Sequence, residues 1–96
     1  MKAYIIVDVT ITNPGVYEDY KKLTPASLQP FGGKFIARGG AVETLEGDWD
    51  PGRVVIIEFP SKQKAKDWWS SAVYAPAKAI RQSASKSRLI LVEGIE

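Results

Sequence analysis

The sequence predicts an α+β domain, an antiparallel sheet with two helices packed on one face. Three observations predict it. The run Val54-Val55-Ile56-Ile57, opened by Pro51-Gly52 and closed by Pro60, reads as a central strand apolar on both faces. The segment 4–11 alternates, with Ile5, Val7, Val9 and Ile11 on one side and Tyr4, Ile6, Asp8 and Thr10 on the other. Apolar residues recur at helical spacing in two further places, giving the order strand, helix, strand, strand, helix, strand. That order is the split βαβ, ferredoxin-like arrangement, and a chain of 96 residues holds one such domain over 1–96.

The elements follow in turn. After the first strand, Asn13-Pro14 supplies a helix N-cap and a proline at the first helical position, where its missing N–H costs nothing. Val16, Tyr17, Tyr20, Leu23 and Leu28 keep helical spacing, and Pro25 is expected to kink that helix or end it near Leu23. Phe31-Gly32-Gly33 is a break. Residues 34–38 read as the second strand, with Phe35 and Ala37 sharing a face. Gly39-Gly40 marks a bulge or turn before a short strand continuation over 41–45. Asp48-Trp49-Asp50-Pro51-Gly52 is a loop leading into the strand 53–59. Ser61 caps the second helix, which carries Ala65, Trp68, Trp69 and Ala72, pauses at Ser70-Ser71 and restarts with Pro76 in its first turn. Residues 89–92 form the last strand.

Composition excludes several functions. A formal net charge of +2 is too small to point to nucleic acid or an anionic membrane. Lys34-Phe35-Ile36-Ala37 is a poor version of an RNA-binding sheet motif, so no nucleic-acid partner is expected. The chain has no cysteine and no histidine, which removes disulfides, thiolate chemistry and the commonest metal ligand; no metal and no cofactor are expected. Met1-Lys2-Ala3-Tyr4-Ile5-Ile6-Val7 is broken by Asp8, far short of a membrane span or a signal peptide, which makes the cytoplasm the default location.

With Ile5, Val7, Val9, Val55, Ile57 and Phe59 turned to the helices, the opposite face carries Tyr4, Ile6, Asp8, Ile36, Arg38, Val54, Ile56 and Glu58. Its apolar part exceeds what monomers leave in water, so a two-fold homodimer is expected, sheet packed against sheet. Asp8, Arg38, Arg53 and Glu58 form either an ion-pair network at the rim of that interface or the wall of a small-molecule cavity; the network is the simpler assignment.

Several stretches carry a family resemblance: Ala3-Tyr4; Gly32-Gly33 before a strand ending Ala37-Arg38-Gly39-Gly40; Leu45-Glu46-Gly47-Asp48-Trp49; and Arg53-Val54-Val55-Ile56-Ile57-Glu58-Phe59-Pro60-Ser61. The positions Ala65, Trp68-Trp69, Ser71, Tyr74 and Arg81, then Leu91-Val92-Glu93-Gly94, extend it over essentially the whole chain. The pattern resembles an uncharacterised bacterial family, domain of unknown function thirteen-thirty. The resemblance implies a ferredoxin-like protomer and a face-to-face dimeric α+β barrel. It implies no reaction. Elsewhere in that superfamily stand monooxygenases, isomerases, ligand-sensing domains and haem peroxidases, the last relying on a histidine that this chain lacks.

Candidate site residues are Tyr20, Arg38, Trp49, Trp69, Ser71, Tyr74 and Arg81 for ligand binding, with Glu58 as the candidate base. Arg38 beside two glycines suits bidentate capture of a carboxylate or phosphate, or an ion pair to Glu58 or Glu46. Ser71 is a nucleophile only with a base beside it, and helix capping explains it better. Tyr74 and Arg81 lie nearly two helical turns apart on a similar face. Adjacent Trp68 and Trp69 cannot both enter the core of one straight helix. Glu58 would act as a base if desolvation raised its pKa. Two functions are weighed on these grounds. One is a metal- and haem-free homodimer that binds or transforms a small organic acid or carbonyl compound; the other is a non-catalytic dimerisation module without a pocket.

Overall fold

The computed structural model describes residues 1–96. Its first strand, β1 (Ala3–Ile11), buries alternate residues Ala3, Ile5, Val7 and Val9, as the period-two pattern requires. Asn13 then accepts a hydrogen bond from Val16 N at 3.2 Å through its side chain, with Pro14 in the first helical position, and α1 (Pro14–Leu28) begins. A single 3₁₀ turn, Gln29–Phe31, leads to β2 (Lys34–Arg38). After the loop come β3 (Arg53–Phe59), α2 (Lys62–Trp69), α3 (Ala75–Ala84) and β4 (Ser85–Glu93). Strand order is β2-β3-β1-β4, all neighbours antiparallel, with the apolar strand β3 in the interior of the sheet as its composition demands. This is the ferredoxin-like topology.

One face of the sheet meets the helices. Ile5, Val7, Val9, Val55, Ile57 and Phe59 pack there against Tyr17, Leu28, Trp68, Tyr74 and Ala77. Trp68 is the keystone of this layer: its ring stacks on Tyr74 at 3.9 Å and tilts against Phe59 at 5.5 Å. Its indole N–H donates to Ser27 Oγ at 3.1 Å, tying α2 to the end of α1. Burying a side chain of this size contributes about 2–3 kcal/mol.

Five expectations change. Of the kink or end expected at Pro25, the end near Leu23 does not occur: α1 runs through Pro25 to Leu28. Proline removes the N–H that would bond the carbonyl of Lys21 four residues back. Arg38 donates from Nη2 to that same carbonyl at 2.7 Å, so the orphaned acceptor is satisfied and the helix continues. The bulge lies not at Gly39-Gly40 but at Ile36: Phe35 pairs with Ile57 and Ala37 with Ile56, leaving Ile36 as the extra residue. One extra residue reverses the faces beyond it. Arg38 therefore lies on the helix side, not on the uncovered face. Residues 41–45 form no strand but belong to an exposed loop, and β4 begins at Ser85, four residues before the apolar run.

The pause within the second helix is where it was expected. Ser71 Oγ accepts from Tyr74 N at 3.0 Å and donates to the Trp68 carbonyl at 2.8 Å, so one hydroxyl closes α2 and opens α3.

Candidate functional site

Beneath α1 and α3 three side chains form a polar line inside an otherwise apolar layer. Arg81, only 4% exposed, donates from Nε to Tyr74 Oη at 3.3 Å, and Tyr74 Oη lies 2.9 Å from Tyr20 Oη. The last turn of α3 places Arg81 and its first turn follows Tyr74, which brings the two to one face. Burial holds the Tyr20 phenol well above its ordinary pKa, with the neighbouring Tyr74 adding to the shift. Burial also raises that of Tyr17, chiefly against the pull of Arg53.

Arg81 stands between two spaces. The first is an open groove of about 780 Å³ between α2, α3 and β4, with Ile5, Leu89 and Leu91 as floor, Ser85 and Ser87 at one end, and Lys66 and Trp69 at the rim. The second is an inner chamber of about 20 Å³ under α1, walled by Tyr17, Tyr20, Arg38, Arg53 and Arg81 over Val55 and Ile57. Neither lining contains a carboxylate. The ion pairs of the molecule are Lys2–Glu58, Lys21–Glu18, Lys34–Glu58 and Arg88–Asp8, so Arg38, Arg53 and Arg81 are all without a carboxylate partner. Of the three only Arg81 is buried, Arg53 being half-buried and Arg38 exposed. A buried guanidinium left in this state favours whatever anion can reach it.

Of the residues singled out from sequence, Tyr20, Tyr74 and Arg81 come together, and Trp69 and Arg81 share the groove. Arg38 joins the chamber wall, but by way of the Lys21 carbonyl and the Phe35 ring, whose centroid is 4.3 Å away. It pairs with neither Glu58 nor Glu46, because the bulge carries it away from the face of Glu58. Glu58 lies on the opposite side of the sheet, at 2.9 Å from Lys2 Nζ and 3.3 Å from Lys34 Nζ. Hydrogen bonding to Lys2 and then Lys34 outweighs desolvation and lowers its pKa, the reverse of what a general base requires. Trp49 is in the 39–52 loop, 60% exposed, beside a different groove formed with Ile6 and Val54. Ser71 serves as the helix junction described above.

Sequence reasoning missed Tyr17 and the serine pair, and it named Arg53 only as a member of an ion-pair network or cavity wall with Asp8, Arg38 and Glu58. The odd-number parity of Arg53 with Val55, Ile57 and Phe59 places it away from Asp8 and Glu58, on the helix side. There its guanidinium lies 5.8 Å from the Tyr17 ring centroid and fills the space a Cβ on Gly39 would take. Gly39 has φ +72°, so glycine is required there twice over. Ser85 donates to the Arg81 carbonyl at 2.6 Å and lies 2.8 Å from Ser87 Oγ, a contact that exists only because β4 starts directly after α3.

The geometry and topology define a ferredoxin-like α+β protein with a cationic interior. The chain belongs to the family Domain of unknown function (DUF1330), whose model matches residues 2–95. It is similar to a protein of unknown function from Rhodopseudomonas palustris, with 24% identity, a TM-score of 0.78, and 99% of this chain and 83% of that chain covered. It is also similar to SnoaB, a cofactor-independent oxygenase from Streptomyces nogalater, with 17% identity, a TM-score of 0.70 and coverage of 99% and 94%. A third is a dimeric ferredoxin-like protein of unknown function from Jannaschia sp., with 10% identity, a TM-score of 0.67 and coverage of 98% and 100%. Among curated proteins none matches the chain. At these identities the likeness to solved structures carries the fold, and no specific function is established. No helix is long and apolar enough to cross a membrane.

Proposed function

We propose that the chain is a homodimeric binder of a small organic acid with an apolar body. The observation that carries this is Arg81, 4% exposed, unpaired with any carboxylate, and lining an open groove of about 780 Å³. The volume lies within the usual range for small-molecule sites. Arg81 takes the carboxylate, the Ser87 hydroxyl adds a hydrogen bond, and the ligand body lies along Leu89, Leu91 and Trp69. The groove holds no carboxylate, and Glu58, on the other face, is held ionised, so nothing there serves as a carboxylate base. Binding is favoured over catalysis on that ground.

The dimer is supported by the uncovered sheet face, where Ile36, Ile90 and Val92 are 52%, 62% and 44% exposed beside half-buried Tyr4, Ile6, Val54 and Ile56. The similar Jannaschia protein is dimeric. Packing two such faces together also gives Lys2, Lys34 and Glu58 a place at the rim.

The test compares hexanoate with hexanamide, which share a chain and differ in charge. Hexanoate is expected to raise the melting temperature of the wild type, and hexanamide to leave it unchanged. Arg81→Gln should weaken hexanoate about tenfold to a hundredfold, the worth of a charge-assisted hydrogen bond. Equal shifts from acid and amide would overturn the assignment.

A further inference from the structure

The inner chamber holds a feature the organic-acid groove does not use. Arg53 Nε is buried and has no hydrogen-bond acceptor in the protein. Orphaned buried donors are rare in native structures and point to a missing partner. Arg53 lines the chamber together with Arg38, Arg81 and Lys21, while no Asp or Glu does.

Counting phenolic protons reaches the same place. A guanidinium Nε can only donate, so Tyr74 Oη accepts from Arg81. Tyr74 Oη and Tyr20 Oη, 2.9 Å apart, share one further proton between them. Two hydroxyls bring two protons, so one is left over. Tyr74 is fully buried outside the chamber lining, whereas Tyr20 is part of it. The arrangement that satisfies both has Tyr74 donating to Tyr20 and Tyr20 donating into the chamber. An Arg53 N–H and a Tyr20 O–H are thus both left to be accepted within about 20 Å³, the space of one water-sized occupant.

A water could accept these protons but would leave Arg81, 4% exposed, and half-buried Arg53 without a counter-charge beside the core. We propose that the inner chamber is a binding site for one halide-sized monoanion, with chloride as its natural occupant, held by Arg53, Arg81 and Tyr20. Larger oxyanions and organic acids exceed its volume. The chamber shares Arg81 with the groove, but Arg53 and Tyr20 line the chamber alone, so a change at Arg53 tests it apart from the groove.

The experiment uses the full chain. Crystals grown in sodium bromide should show an anomalous peak in the chamber, in contact with Arg53 Nε. In solution, sodium chloride should raise the wild-type melting temperature saturably from a low-salt start. Each tenfold rise in free chloride above its dissociation constant should add roughly 5–10 °C. Arg53→Gln should lose that rise while keeping its response to hexanoate, which separates this site from the groove. Should Arg53→Gln fail to fold, the bromide peak decides alone. A chamber without a bromide peak, or an equal chloride response in wild type and folded Arg53→Gln, would overturn the proposal.

Discussion

Tyr17 and Tyr20 show how single side chains set the behaviour of this interior. Both phenols have pKa values raised above 10.0, mainly by burial. A folded-state pKa above the unfolded value means the stabilisation is fully present below about pH 10 and is lost as pH rises through the folded pKa. The protein is therefore expected to lose stability on the alkaline side, with the tyrosinate absorbance of these two residues appearing together with unfolding. Tyr17 and Tyr20 ionising at pH 10 in the folded protein would contradict that account. At the same scale Arg81 was legible in sequence because its spacing to Tyr74 is helical. Arg38 is read from sequence onto the wrong face and with the wrong partner. Its true partner, the Lys21 carbonyl, is created by a proline 13 residues away in sequence.

That proline makes α1 a matter of two elements. Pro25 costs the helix a hydrogen bond, and the β2 bulge at Ile36 turns Arg38 round to replace it. Pro25→Ala should restore the N–H to Lys21 and release Arg38. A proline in a helix interior costs about 3 kcal/mol relative to alanine. Losing the Arg38 bond, and the added freedom of the unfolded chain, return about 1 kcal/mol each, leaving a net gain of about 1 kcal/mol in urea denaturation. A loss of stability would show that Arg38 is anchored by something else. Elements were read well from the sequence wherever one face was buried: β1, β3 and the split second helix are each set by their own periodicity and caps. Residues 41–45 and the position of the bulge were not, because glycine pairs mark a break without saying on which residue the ladder slips. The first half of β4 was missed for a different reason. Ser85-Lys86-Ser87-Arg88 lacks an apolar run, and its pairing with 8–11 of β1 is a tertiary fact.

For the whole molecule, the uncovered sheet face and buried Arg81 belong to opposite sides of one sheet, so the proposed dimerisation and the proposed binding are tested separately. Ile56 pairs with Ile6 and Ala37 in the middle of that face. Ile56→Asp should yield a monomer by light scattering, or an insoluble chain, since a carboxylate there would be buried without a partner. A soluble dimer would contradict the proposed interface. The central claim, that a carboxylate is held by Arg81 in the groove, is tested most directly by nuclear magnetic resonance of the arginine Nε–H groups during titration with hexanoate. The Arg81 signal, identified by its loss in Arg81→Gln, should move saturably with hexanoate and stay in place with hexanamide. An unmoved Arg81 signal while that of the exposed Arg88 shifts would place the acid on the surface and contradict the account.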